Sequence, residues 1–217
     1  MREKIPMNGK EYVVVEGIFR HSFDNIVVNS NRKNNRIESK NKAILYTGNL
    51  NRRYGILLLL DAFSKLDNSY ELWIRGDGEL KEEIIHLSKK NSRIKYFEPM
   101  DKNHLWTLLT DSDVLVNPVS PHEEFTRYFF PSKTMEYIAS GTPVVMFHLD
   151  CIPKEYNDFL IYSEEVTSSS FRRAIEFACG LSEKEKAYNA KKAKQFILDN
   201  KNSFVQAEKI CRLIECE

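Results

Sequence analysis

No apolar run in this chain is long enough to cross a bilayer; the longest, such as Ile56 to Leu60, fall far short of the roughly 20 residues a spanning helix needs. The first 42 residues hold no extended apolar stretch either, so no signal peptide is expected. Cysteine is scarce. Cys151, Cys179, Cys211 and Cys216 form no C-x-x-C and no paired spacing, which argues against a disulfide framework and for a reduced, cytoplasmic protein. The five histidines also lack ligand spacing, so no zinc site is expected. A charge of one sign is missing too. Thirty-two basic residues against 31 acidic ones leave a net +1, without the basic footprint of a nucleic-acid binder. No nucleophile elbow or catalytic triad is found: Ser168-Ser169-Ser170 reads as a helix cap, and His122 lies among loop residues. Asp111-Ser112-Asp113 has Asp-x-Asp spacing, but it precedes a strand instead of following one.

What is present is alternation. From residue 43 onward, short apolar runs alternate with amphipathic segments, and 42% hydrophobic content over 217 residues supports a sizeable core. Strands are expected at Ala43–Thr47, Tyr70–Arg75, Ile94–Phe97, Val114–Val116, Val144–Met146 and Leu160–Tyr162. Helices are expected at Ile56–Lys65, Leu80–Lys90, from an Asp101 cap to Thr110, in the 131–140 segment, and at Ser168–Cys179, Ser182–Asn200 and Phe204–Glu215. Such alternation predicts an α/β fold: a Rossmann-like parallel sheet with helices on both faces, with ligands bound outside the carboxyl ends of the strands. Residues 1–42 read as a linker-like segment, with short strands at Tyr12–Gly17 and Ile26–Asn29 and an Asn-, Lys- and Arg-rich stretch after them. The main domain is expected at 43–200, followed by a C-terminal helix at 201–217.

The loops at the strand ends carry the polar chemistry. In Thr47-Gly48-Asn49-Leu50-Asn51-Arg52-Arg53-Tyr54-Gly55, Gly48 allows close backbone approach, and Arg53 offers a two-pronged contact to a diphosphate or is simply solvated. Gly76-Asp77-Gly78-Glu79-Leu80 is either an ordinary Asp-Gly turn or a source of exposed N–H groups. Met100, in Phe97-Glu98-Pro99-Met100, is either a core filler or a surface for a planar ligand. The most informative stretch is Phe130-Pro131-Ser132-Lys133-Thr134-Met135-Glu136-Tyr137-Ile138-Ala139-Ser140-Gly141-Thr142-Pro143-Val144-Val145. Pro131 suits a first helical turn, Met135, Ile138 and Ala139 give one apolar face, and Gly141 with Pro143 ends the helix. Ser132, Lys133 and Glu136 then sit at the end that attracts anions. Glu136 stands four residues after Ser132, whereas a capping box needs three.

That stretch resembles the donor-binding signature of retaining, nucleotide-sugar-dependent glycosyltransferases of the GT-B fold, the large group 1 or family 4 class, whose pattern is Pro-x-x-x-x-Glu-x-x-Ala-x-Gly-x-Pro-Val. A Phe-Pro-Ser-Lys-x-x-Glu-Tyr subgroup is similar to it more closely still. The Gly48–Gly55 segment resembles the family's Gly-Arg-Leu…Arg-Lys-Gly loop, with Arg53 matching the Arg, and with Asn49 and Tyr54 standing where Arg and Lys are usual. Gly76 and Gly78 match a Gly-x-Gly loop that lines the nucleotide pocket. Tyr128 stands where a second glutamate usually touches the sugar.

The resemblance implies a nucleotide-diphosphate sugar as substrate, with UDP favoured and GDP the alternative. Arg53 and Lys133 would stabilise the leaving diphosphate, and Gly48, Asn49, Gly76, Gly78, Met100, Ser132 and Glu136 would bind the donor, Glu136 through the ribose hydroxyls. No cofactor or metal is expected. It further implies transfer to an acceptor sugar or lipid-linked glycan in cell-surface polysaccharide or glycolipid synthesis, in the cytoplasm or peripherally at the inner membrane face. It implies too that the chain corresponds to the second of two GT-B domains, so that an N-terminal domain is an expected partner, in cis or in trans. Two other readings stay open: a non-catalytic nucleotide-sugar-binding or scaffold module, favoured by Tyr54 and Tyr128, and a different doubly wound protein, such as a receiver-like or epimerase-like domain.

Overall fold

A computed structural model describes residues 11–19 and 41–215. Among these described residues six strands, β1 (Lys42–Asn49), β2 (Tyr70–Asp77), β3 (Ile94–Phe97), β4 (Val114–Asn117), β5 (Val144–Phe147) and β6 (Ile161–Ser163), form one sheet in the order β3-β2-β1-β4-β5-β6. All neighbours are parallel. This is the doubly wound order. Its strand sequence reverses between β1 and β4, and that switch point is where such sheets open a crevice for a ligand.

Among the described residues, seven helices connect and cover the strands: α1 (Ile56–Ser64), α2 (Lys81–Lys90), α3 (Lys102–Asp111), α4 (Lys133–Ser140), α5 (Ser168–Gly180), α6 (Glu183–Asn200) and α7 (Ser203–Glu215). Parallel strands are buried on both faces, which is why β1 and β2 read as nearly continuous apolar runs. Successive side chains divide the core in two. Ile44, Tyr46, Leu72, Ile74 and Val116 face α1, α2 and α5, packing on Leu59, Phe63, Ile84 and Phe171. Ala43, Leu45, Trp73, Leu115 and Met146 face α3, α4 and α6, packing on Trp106, Met135, Ile138 and Ile197. Local signals set the helix ends. The Asp101 carboxylate accepts from the Asn103 and His104 N–H groups, as its predicted cap role requires. Ser182 and Glu185 form a complete capping box at the start of α6. Gly141 ends α4 at φ +75°.

Two expectations are corrected. Tyr12–Gly17 forms no strand. It follows side-chain anchors instead of a sheet edge: Lys201, fully buried, pairs with Glu16 at 3.4 Å and with Glu155, and its carbonyl accepts from the Phe19 N–H at 2.7 Å. Phe19 is itself buried with the α3/α4/α6 cluster. Pro131 does not begin α4. The helix starts at Lys133, two residues later, and the Pro131 carbonyl accepts from the Thr134 N–H. The other predicted strands and helices are present with ends shifted by one or two residues. The Ile26–Asn29 strand expectation lies outside the described residues.

Candidate functional site

The carboxyl end of β1 and the amino end of α4 meet at the switch point. β1 finishes in Thr47-Gly48-Asn49, and α4, which follows the loop after β4, presents Lys133 to it. The Lys133 ammonium donates to the Thr47 carbonyl at 3.1 Å. It lies 4.2 Å from the centre of the Tyr46 ring and 5.7 Å from that of Tyr137. Gly48 has φ +144°, and a Cβ there would stand 3.2 Å from the Lys133 ammonium and 3.3 Å from the Tyr46 hydroxyl. The backbone angle favours glycine, and a Cβ would crowd the lysine and the tyrosine hydroxyl by a few tenths of an ångström. The result is a cation beside an open backbone turn at a helix N-terminus, which suits an anion of phosphate type.

Burial sets the protonation of this cluster. Desolvation pulls the half-buried Lys133 ammonium from its ordinary 10.5 down to about 7, so the charge is held near its titration point. Desolvation likewise pushes the Tyr137 phenol up to about 12, against the lowering effect of its hydrogen bonds to Thr47. The Tyr137 hydroxyl accepts from the Thr47 N–H at 2.9 Å and lies 3.0 Å from the Thr47 hydroxyl, so α4 is tied to the last turn of β1 from below. The fully buried Tyr46 donates its hydroxyl to the Asn49 carbonyl at 2.6 Å.

The remaining predicted residues divide into those at the cluster and those that build the loops around it. Asn49 is exposed at the turn, with its side-chain oxygen accepting from the Asn51 N–H at 2.8 Å. Ser132 is exposed at the α4 N-cap position and makes no capping bond. Glu136 is half-buried in the first turn of α4, where its charge raises the neighbouring Tyr137 phenol. Gly76 and Gly78 bring two loops together. A Cβ on Gly76 would lie 1.9 Å from the Gly48 carbonyl oxygen, and one on Gly78, at φ +149°, would lie 2.6 Å from the Asn51 side-chain oxygen. Both glycines let the two loops lie against each other. That contact is stitched by Leu50 N–H to Asp77 carbonyl at 2.8 Å, Glu79 N–H to the Asn51 side chain at 2.9 Å and Arg52 N–H to the Glu79 carboxylate at 2.6 Å. Met100 packs half-buried against the α3/α4/α6 core cluster. Arg53 is exposed on a 3-10 turn (Arg52–Tyr54), with its guanidinium 5.4 Å from the Tyr54 ring centre and 5.1 Å from that of Phe125. Phe125 comes from the loop after β4, and its ring also meets Tyr54 at 5.4 Å and Phe129 at 6.0 Å. This loop thereby folds over the Arg53 turn.

Sequence reasoning missed Tyr46, Thr47, Tyr137 and Asn117. The first three frame Lys133. Asn117 ends β4 at the switch point, only 1% exposed, with neither amide atom hydrogen-bonded among the described residues. The signal for the tyrosines was available: Tyr46 precedes the glycine turn by two residues, and Tyr137 follows Lys133 by four, one helical turn on. Among the described residues, no group of three or more His, Cys, Asp or Glu side chains is placed to hold a metal ion. Also among them, no helix is long and apolar enough to cross a membrane.

Residues 41–178 match the family model described as glycosyl transferases group 1. No curated protein matches the chain by sequence. Solved structures share its fold. The N-terminal domain of a trehalose-6-phosphate phosphatase from Candida albicans matches with TM-score 0.66 at 15% identity, over 82% of this chain and 42% of that one. A point mutant of TarM from S. aureus, solved with fondaparinux, alpha-GlcNAc-glycerol and UDP, matches with TM-score 0.61 at 19% identity, over 83% and 37%. Alr3699/HepE from Anabaena, solved with UDP and glucose, matches with TM-score 0.62 at 17% identity, over 82% and 49%. The chain thus spans less than half the length of each of these three.

Proposed function

The chain belongs to the group 1 glycosyl transferases, and on that premise we propose that it binds a nucleotide-diphosphate sugar at the switch point and acts as the donor-binding half of a retaining sugar transferase. The observation that carries this reading is the Lys133 ammonium poised over the Gly48 turn, 3.1 Å from the Thr47 carbonyl. The diphosphate lies there, receiving charge-assisted hydrogen bonds from Lys133 and from N–H groups at the start of α4. Glu136, farther along the same helix, accepts the ribose hydroxyls. UDP is the favoured nucleotide, in keeping with the UDP in the TarM and HepE structures.

In transfer, the bond from the anomeric carbon to the diphosphate oxygen breaks, the acceptor oxygen takes its place on the same face of the sugar, and the acceptor's hydroxyl proton passes to the departing diphosphate. Negative charge grows on the departing diphosphate. Lys133 and the helix end are already aimed at that charge, so they stabilise the transition state with little reorganisation. Arg53 supplies a second cation from the loop above. No metal is invoked in this reading. The acceptor, a sugar or lipid-linked glycan of cell-surface polysaccharide or glycolipid synthesis, is held by a domain like the remainder of the longer chains, in cis or in trans, at the inner membrane face. One observation favours binding without transfer: Arg53 rests on the rings of Tyr54 and Phe125, and Tyr54 brings no charge to a position where the family usually has lysine.

Calorimetric titration of the protein with UDP, UMP, GDP and their sugars tests the reading. Saturable UDP binding is expected, with UMP about tenfold or more weaker for want of the β-phosphate and with UDP affinity reduced in Glu136→Ala. Equal affinity for UMP and UDP, or no nucleotide binding, would overturn it. Turnover measured with a full-length two-domain relative whose second domain is replaced by this chain separates transfer from binding alone.

A further inference from the structure

Lys133 does not reach the end of β1 unaided. Its ammonium sits 4.2 Å from the centre of the Tyr46 ring, and the hydroxyl of the same ring donates to the Asn49 carbonyl at 2.6 Å. Tyr46 is fully buried between the core helices and the turn, so its ring has little room to swing away. We propose that Tyr46 is a positioning residue for the anion cradle: its ring face holds the Lys133 ammonium over the end of β1, and its hydroxyl pins the Asn49 carbonyl, so that cation and glycine turn are set as one unit. The proposal rests on the donor-site reading above and deepens it by naming what aligns the two halves of that site.

The physical reason lies in competing demands on Lys133. An anion site needs the ammonium dehydrated and close, yet dehydration drives the amine toward its neutral form. A carboxylate partner would restore the charge but would repel a diphosphate. An aromatic face resolves the conflict, because its negative quadrupole favours the cation while adding no net charge to oppose the ligand. The charged and titratable groups nearby fit this division. Tyr137, from the same helix, adds a second ring at 5.7 Å. Tyr46 feels Tyr54 from the 3-10 turn, and Tyr137 feels Glu136 from its own helix and Arg75 from β2. Burial keeps the Tyr46 phenol protonated far above its ordinary range, so its hydroxyl remains a donor to Asn49 at any working pH.

The test does not need a nucleotide. Protein with ¹³C-labelled lysine is titrated by NMR from pH 5 to 11, alongside Tyr46→Phe and Tyr46→Leu. In the native protein the Lys133 ε-protons, assigned by their loss in Lys133→Met, are expected upfield of the ordinary lysine position, from the ring current of Tyr46. Tyr46→Phe keeps the ring and leaves the Lys133 midpoint in place, while its binding of inorganic pyrophosphate weakens by about threefold to tenfold through the lost hydroxyl bond. Tyr46→Leu lowers the midpoint by roughly 0.5 to 1.5 pH units and removes the upfield shift. A purely structural role for Tyr46 would lower the melting temperature and leave the Lys133 midpoint alone. An unchanged or raised midpoint in a folded Tyr46→Leu protein overturns the proposal. If that variant does not fold, ordinary ε-proton shifts in the native protein overturn it equally. Failure of UDP to bind the native protein would instead overturn the donor-site reading and leave the lysine titration to judge Tyr46 separately.

Discussion

Replacing Lys133 with methionine should make the protein more stable and less able to bind a nucleotide diphosphate. Its ammonium is pulled from 10.5 to about 7 by burial. At about 1.4 kcal/mol per pH unit, that drop corresponds to ~5 kcal/mol of penalty for carrying the charge in the folded state. Lys133 is only half-buried and its charge lies on an aromatic face, and both offset the penalty, leaving roughly 1–3 kcal/mol. The sign follows from a folded pKa below the unfolded one. Above pH 10.5 neither state is charged and Lys133 costs nothing. As pH falls toward 7 the unfolded state gains the proton first, so folding becomes progressively less favourable, and below about 7 the penalty is constant. The Lys133→Met protein should therefore melt higher than the native protein at pH 7, with the difference vanishing by about pH 10.5. Its UDP affinity should fall by about 10- to 100-fold with the lost charge-assisted contact. Scanning fluorimetry across pH and calorimetry at pH 7 read the two effects. A variant that melts lower at every pH would show that the Lys133 charge carries no folding penalty, and one that binds UDP as the native protein does would remove Lys133 from the anion site.

A diphosphate favours the charged lysine, so UDP binding above pH 7 should take up a proton; calorimetry in buffers of different ionisation enthalpy should show uptake rising from pH 6 to 8.5 and absent in Lys133→Met. Tyr137→Phe leaves the buried Thr47 N–H without its acceptor, and should cost about 1–3 kcal/mol in denaturant unfolding. Gly48→Ala forces a side chain into φ +144° and against Lys133; it should cost roughly 1–3 kcal/mol and weaken UDP binding together, whereas loss of stability with unchanged affinity would remove Gly48 from the site. Lys201→Met leaves Glu16 buried without its cation. It should release residues 11–19, detected as faster hydrogen exchange at the Phe19 amide, with the sheet amides unaffected.

The fold was largely legible because its signals are local. Parallel strands covered on both faces need uninterrupted apolar runs, and those runs stand out beside local signals such as the Asp101 cap and the Gly141 stop. The site was legible only as a set of loops. That Lys133 reaches Thr47, 86 positions away, depends on strand order, which no local pattern encodes. The glycines show the same limit. Gly48 is favoured by its backbone angle, while Gly76 and Gly78 are kept small by the neighbouring loop, and sequence presents all three alike. The short run Tyr12–Gly17, rich in valine, reads as a strand, but an anchor of Glu16 on Lys201 and Phe19 in the core took precedence over pairing with a sheet edge.

The central claim, a diphosphate cradle shared by Lys133 and the Gly48 turn, is tested most directly by a crystal structure of the protein soaked with UDP. A β-phosphate oxygen is expected within about 3.2 Å of the Lys133 ammonium, with the phosphate over Gly48 and the ribose beside Glu136. A nucleotide bound elsewhere, or one whose phosphates avoid Lys133, would contradict it.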